Sequence, residues 1–212
     1  MVINFYGEGC FKIQSGNLVV LIDPFDKSVG LTPPRMKTDI VLKTLSPIPF
    51  PEDENGEEGT QLISGAGEYN AKGVTINGFP VLKESTDKFL KTIYLVDIED
   101  ARLCFLGHLS DVPEPSVLEY LEEIDILFVP AGGEPFMEQK PAIKLARQLE
   151  PKIIIPSFFR VPSLKRKTGD LKIFLEEFNG PKGGCEKEQD KLTIKKKEID
   201  AMKAAEVVAL KI

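Results

Sequence analysis

Short apolar runs broken by glycine and asparagine fill the first hundred residues. Runs at 2–5, 10–13 and 18–22 are separated by Gly7-Glu8-Gly9 and Ser15-Gly16-Asn17. The second break is a hairpin signal, so the pattern predicts three antiparallel strands. Asp39-Ile40-Val41-Leu42 predicts a buried strand. The following Ser46-Pro47-Ile48-Pro49-Phe50-Pro51 alternates prolines that remove donors and fix φ, which predicts extended loop in place of helix or inner strand. Residues 52–59 read as an exposed acidic loop. Further strands are predicted at 62–63, 65–69, 73–79, 92–97 and 102–106, the last two as a hairpin over Glu99-Asp100.

From Gly107 the period changes. Apolar spacing predicts helices over 115–121, 142–149 and 170–178, alternating with continuous apolar strands at 126–130 and 152–156. Residues 180–184 read as loop, and 191–194 and 207–210 as closing strands. A strand-rich first half followed by alternating strand and helix predicts two sheets with helices outside. With neither repeat nor linker visible, residues 1–212 read as a single domain.

Composition narrows the chemistry. The chain has 212 residues, 27 Lys and Arg against 33 Asp and Glu, a net charge of −6, one His and three Cys. One imidazole does not build a His-rich zinc centre, and Cys10, Cys104 and Cys185 lack the spacing of a zinc ribbon or a disulfide framework. They read as reduced, mostly buried thiols, which suggests a cytoplasmic location. Nothing at the start resembles a signal peptide, and no apolar run has membrane-spanning length, so no membrane association is expected. The acidic balance argues against nucleic acid as a partner.

Several segments resemble metallo-β-lactamase-fold hydrolases, most closely the small bacterial and archaeal branch related to ascorbate-phosphate lactonases. They are Tyr6-Gly7-Glu8-Gly9-Cys10-Phe11-Lys12-Ile13, Ile22-Asp23-Pro24-Phe25, and Thr38-Asp39-Ile40-Val41-Leu42-Lys43-Thr44. Ser64-Gly65-Ala66-Gly67-Glu68-Tyr69, Leu106-Gly107, the run from Ile124 to Gly133, and Glu150-Pro151-Lys152-Ile153-Ile154-Ile155-Pro156 follow in the same order. The resemblance covers roughly residues 1 to 160, with the closing strands matching more weakly. It implies an α/β fold, a four-layer αβ/βα sandwich of the metallo-β-lactamase type.

The family's metal ligands do not carry over. Where the family has His-x-His-x-Asp-His after a strand ending in Thr, this chain has Leu45, Pro47, Pro49 and Phe50. The next ligand position aligns with Lys83, the bridging Asp with His108, and the last His with Phe158. The resemblance then implies a degenerate member without a functional metal site, its old cleft filled by apolar side chains. On this reading the chain is not an enzyme and carries no cofactor, but is a pseudoenzyme in assembly, regulation or small-ligand binding. The alternative is a hydrolase of a phosphate-bearing or lactone-like ester that holds zinc through atypical ligands. A third reading has Lys83, His108 and Arg160 hold an anionic ligand.

The remaining clusters are weaker. Asp23 and Glu68 match family residues that orient loops and strand ends. His108-Leu109-Ser110-Asp111 carries the residue types of a nucleophilic triad in too short a span, so His108 reads as a loop histidine, and Asp111 with Glu114 beside it as at most a weak metal site. The basic segment Arg160, Lys165, Arg166, Lys167 should lie near the cleft mouth, as should the acidic loop. Together they suggest complementary surfaces for a homo-oligomer or for an intact relative. Lys195-Lys196-Lys197 reads as an exposed strand end.

Overall fold

The computed structural model describes residues 1–49, 59–180 and 188–212. Residues 52–58 of the acidic loop, Phe50, Cys185 and most of the predicted 180–184 loop lie outside the described residues.

The strands, in chain order, are β1 (Val2–Gly7), β2 (Cys10–Ser15), β3 (Leu18–Ile22), β4 (Ile40–Lys43), β5 (Leu45–Pro47), β6 (Gln61–Ser64) and β7 (Gly67–Ala71). Then come β8 (Val74–Pro80), β9 (Phe89–Ile98), β10 (Ala101–Phe105), β11 (Ile126–Pro130), β12 (Ile153–Ser157), β13 (Leu192–Thr193) and β14 (Glu206–Val207). The helices are α1 (Pro115–Leu118), α2 (Gln139–Leu149), α3 (Leu171–Asn179) and α4 (Lys196–Asp200). Among the described residues one sheet has six strands in the order β13-β1-β2-β3-β4-β6, and the other has eight, ordered β14-β12-β11-β10-β9-β8-β7 with β5 attached to β9.

The predicted N-terminal meander is present: β1, β2 and β3 pair antiparallel, and β4 and β6 add in parallel. Alternation along β1 buries Ile3 and Phe5 while Asn4 stays half-buried, the period of a sheet with one core face. β11 and β12 are buried at every position and run parallel, which is why their sequences read as unbroken apolar runs. The sheets meet through aromatic rings. Phe5 stacks on Phe11 at 4.9 Å, Phe11 meets Phe128 edge-on at 4.7 Å, and Phe128 stacks on Phe105 at 4.2 Å. That chain of rings ties β1 and β2 to β10 and β11. On the outer side α2 buries Ala142, Ile143, Leu145 and Ala146 toward β11, and α3 packs on α2.

Two expectations need correction. The proline stretch is not all loop, because Leu45–Pro47 pairs antiparallel with β9 from Leu45↔Lys91 to Pro47↔Phe89. Proline is tolerated there because β5 pairs on one side only. The lysine run is not a strand end. Lys196–Asp200 is a short helix whose Glu198 carboxylate accepts from Lys195 N at 2.7 Å, and Lys196 Nζ lies 2.7 Å from the Asp125 carboxylate.

Candidate active site at the strand ends

Several strands run toward one edge of the sandwich and deliver a residue there. β3 leads into Asp23, β4 into Thr44, β10 into Gly107 and His108, β11 into Ala131 and Gly132, and β12 into Phe158. The ends of parallel strands are where α/β sheets leave room for ligands.

The Asp23 side chain is 8% exposed, and its backbone is in the left-handed region (φ 43°). Its Oδ1 accepts from Thr44 N at 2.7 Å and its Oδ2 from the Thr44 hydroxyl at 2.6 Å. The Thr44 Oγ1 also lies 2.7 Å from His108 Nδ1. A hydroxyl has one proton. With that proton given to the Asp23 carboxylate, Thr44 Oγ1 accepts from His108 Nδ1–H, which leaves the lone pair of the neutral ring on Nε2. Gly107 makes the contact possible, since a Cβ there would sit 2.2 Å from Thr44 Oγ1. Its φ of 60° also favours glycine.

Burial lowers the His108 pKa; Asp23 and Glu8 oppose this, while Lys91 and Arg166 add to it, so the ring is mostly neutral at pH 7. Burial raises the Asp23 pKa, countered by His108, the two Thr44 hydrogen bonds and Lys43. The rings of Phe136 and Phe158 meet the imidazole edge-on, with centroids at 5.5 and 4.9 Å.

Two scaffolds hold this arrangement. The Glu84 carboxylate accepts from Lys91 Nζ at 2.6 Å, from Ser110 N at 2.8 Å, from Ser110 Oγ at 2.6 Å and from Asp111 N at 2.8 Å, which fixes the loop carrying His108. On the other side Arg166 grips Glu8 through Nε and Nη2, the shortest contact being 2.8 Å, and its guanidinium lies 4.8 Å over Phe136. Phe158, with φ 57°, donates its N–H to Glu8 O and accepts at its carbonyl from Arg166 Nη2 and Thr168 Oγ1.

The residues predicted for the site are only partly gathered. Leu45, Pro47 and Pro49 are exposed, so they do not fill the old cleft as expected. Phe158 alone among the described apolar replacements is buried, at 2% exposure. Lys83 is exposed on a 3-10 turn, with its N–H on Glu114, while Arg160 lies in the loop after β12. Among the described residues no hydrogen bond or ion pair joins Lys83, His108 and Arg160. The Ser110 N–H and hydroxyl and the Asp111 N–H donate to Glu84, and the Asp111 carboxylate accepts from Val112 N, so no triad forms among the described residues. Glu68 is exposed on β7, and among the described residues its side chain makes no hydrogen bond that would orient a loop at the site. Sequence reasoning missed the Glu8–Arg166 pair, Phe136 and Glu84. Glu8 lies inside a motif segment, but nothing local marks its partner, 158 residues on.

The metal expected of the family can be tested against these donors. Asp23 is committed to Thr44, Glu8 to Arg166, and Glu84 to Lys91 and the Ser110–Asp111 loop. Among the described residues no three of His, Cys, Asp and Glu gather as a metal cluster. The described side chains therefore do not fit a metal centre of the family's kind.

A family model described as the β-lactamase superfamily domain matches residues 2–157. A UPF0173 metal-dependent hydrolase from Natranaerobius thermophilus is 25% identical over 186 residues, 74% of this chain and 82% of that protein. A protein from Thermotoga maritima, described as a candidate Zn-dependent hydrolase of the metallo-β-lactamase superfamily, superposes with TM-score 0.74 at 24% identity over 99% of this chain and 97% of its own. A metallo hydrolase from Ignicoccus hospitalis gives TM-score 0.58 at 16% identity, over 99% of this chain and 94% of its own. These relatives overturn the expectation of a chain that is not an enzyme and has no cofactor, since they are named as metal-dependent hydrolases. That expectation rested on the substituted ligand positions. Those described after Thr44 prove to be exposed, while Asp23, Thr44 and His108 are joined by hydrogen bonds. The chain belongs to the β-lactamase superfamily domain family and has the metallo-β-lactamase fold, an α/β sandwich.

Proposed function

We propose that the chain hydrolyses a small phosphate-bearing or lactone-like ester at the strand ends around His108. The observation that carries this reading is the Asp23–Thr44–His108 series of hydrogen bonds, which leaves one imidazole nitrogen free on a neutral ring. The names of the relatives support the reaction class.

In this reading His108 Nε2 takes a proton from a water attacking the ester. The imidazolium that forms is stabilised through Thr44 by the Asp23 carboxylate, whose Oδ2 is 3.7 Å from Nδ1. Phe136 and Phe158 flank the ring and limit its hydration, which strengthens the attraction. A positioned general base contributes about 10²–10⁴-fold. No step is routed through a metal, because the described donors do not form a centre for one.

The test is turnover of a panel of phosphate esters and lactones, with and without added Zn²⁺ or Mn²⁺. His108→Gln should lose about 100-fold or more in kcat. Thr44→Val should lose less and move the pH profile. Absence of turnover under every condition, or wild-type rates in His108→Gln, would sink the proposal.

A further inference from the structure

We propose that the loop running from Arg160 to Asp170 is a binding pocket for a phosphate group, the dianionic part of the ester handled at His108. The link to His108 rests on the function proposed above; the pocket itself does not.

The loop walls a cavity of about 600 Å³, with Arg160, Lys165, Arg166 and Lys167 in its lining. Asp170 is the one carboxylate there, and its Oδ1 is occupied in capping α3 through Lys172 N at 2.8 Å. Among the described residues, neither Arg160 nor Lys167 has a side-chain hydrogen bond or ion pair, and Lys165 acts on Asp26 only at longer range. Arg166 is neutralised by Glu8, yet its Nη1 is buried with no acceptor. Cations are thus concentrated in one concavity of a chain whose net charge is −6. Such a concavity focuses potential on an anion.

The loop is also preorganised. Arg160 N donates to Gly169 O at 2.9 Å, closing its ends, and Gly169 N donates to Gly132 O at 2.7 Å. Lys165 N donates to Val29 O at 2.9 Å, and Thr168 Oγ1 to Phe158 O at 2.8 Å. Gly132 permits this docking, since a Cβ there would lie 2.2 Å from Phe158 O. A ligand binding here does not have to order the backbone, which removes a main cost of association. Ammonium and guanidinium donors lining one concavity suit a tetrahedral dianion, whose several oxygens each accept. The pocket borders the site, because Arg166 lies over Phe136, and Phe136 meets His108.

The experiment is isothermal titration of the full chain with inorganic phosphate at low salt, with potassium chloride at equal ionic strength as the control. Saturable phosphate binding is expected, weakened about tenfold or more in Arg160→Ala and in the double variant Lys165→Ala/Lys167→Ala. These side chains are exposed, so the variants should melt as the wild type does. No saturable heat, or variants that bind as tightly as wild type, would overturn the pocket. Phosphate binding that the loop variants lose, in a chain that turns over no ester, keeps the pocket and refutes the hydrolase. Ester turnover in a chain that binds no phosphate does the reverse.

Discussion

Replacing Glu84 by alanine tests whether the His108 loop is held as described. The carboxylate is 10% exposed and the ammonium of Lys91 13% exposed. Its removal strands that ammonium and leaves Ser110 N, Ser110 Oγ and Asp111 N without their acceptor. Hydrogen bonds to a charged group contribute about 1.5–3 kcal/mol each but are not additive, and breaking a buried pair from one side costs about 3–5 kcal/mol. Because some water reaches the gap, about 3 kcal/mol is the expected loss, or about 10 °C in Tm for a chain of this size. Removing both charges should cost less than the sum of the single changes. In a Glu84→Gln/Lys91→Met cycle read by urea denaturation the coupling should be about 1–3 kcal/mol.

The pH dependence gives a second reading of the same carboxylate. Burial alone would raise its pKa, but Lys91, Ser110 and Asp111 hold it below the ordinary 4.5. A group with a depressed folded pKa stabilises the fold above its unfolded value, and that contribution is lost as pH falls through the folded one. The stability gap between wild type and Glu84→Ala should therefore narrow in acid. A variant within about 0.5 kcal/mol of wild type at neutral pH, or a gap unchanged at the lowest pH where both stay folded, would refute the reasoning.

Two further predictions concern the relay. His108 should titrate below its ordinary value of 6.5 when followed by NMR of the ring. Because the unfolded chain then binds that proton more tightly, His108 lowers stability as pH falls through the unfolded value. A midpoint above 6.5 would contradict the burial argument. Gly107→Ala should cost about 1–3 kcal/mol from backbone strain and displace Thr44 from Nδ1, observable as a changed tautomer signal in nitrogen NMR. An unchanged tautomer would contradict the packing described.

Much of the fold was legible because periodicity and burial coincide. The fully buried β11 and β12 read as unbroken apolar runs, and α3 was visible in the spacing of Leu171, Phe174 and Leu175, although Asp170, read as its first residue, proves to be its cap. α4 was not, because it is five residues long and rich in lysine, with Ile199 its one buried side chain. β5 was hidden by prolines whose lost donors matter little where only one neighbour pairs. The site was half legible. Asp23, Thr44 and His108 stand in recognisable segments, but Thr44 and His108 are 64 residues apart and meet only because β4 and β10 end at the same edge. Pairings that depend on how two sheets close carry no local signal.

The Glu8–Arg166 clasp joins residues 158 apart, one in the first hairpin and the other beyond β12. A contact spanning that much chain carries a large loop-closure entropy, and it has nothing to hold until both sheets have docked. The strand-end cleft should therefore be the last part of the molecule to mature during folding. The meander can form first, whereas the geometry around His108 and the basic loop waits for the two sheets to dock. Recovery of phosphate binding or turnover after dilution from denaturant should then lag behind recovery of sheet content, making this corner of the protein a sensor of complete assembly.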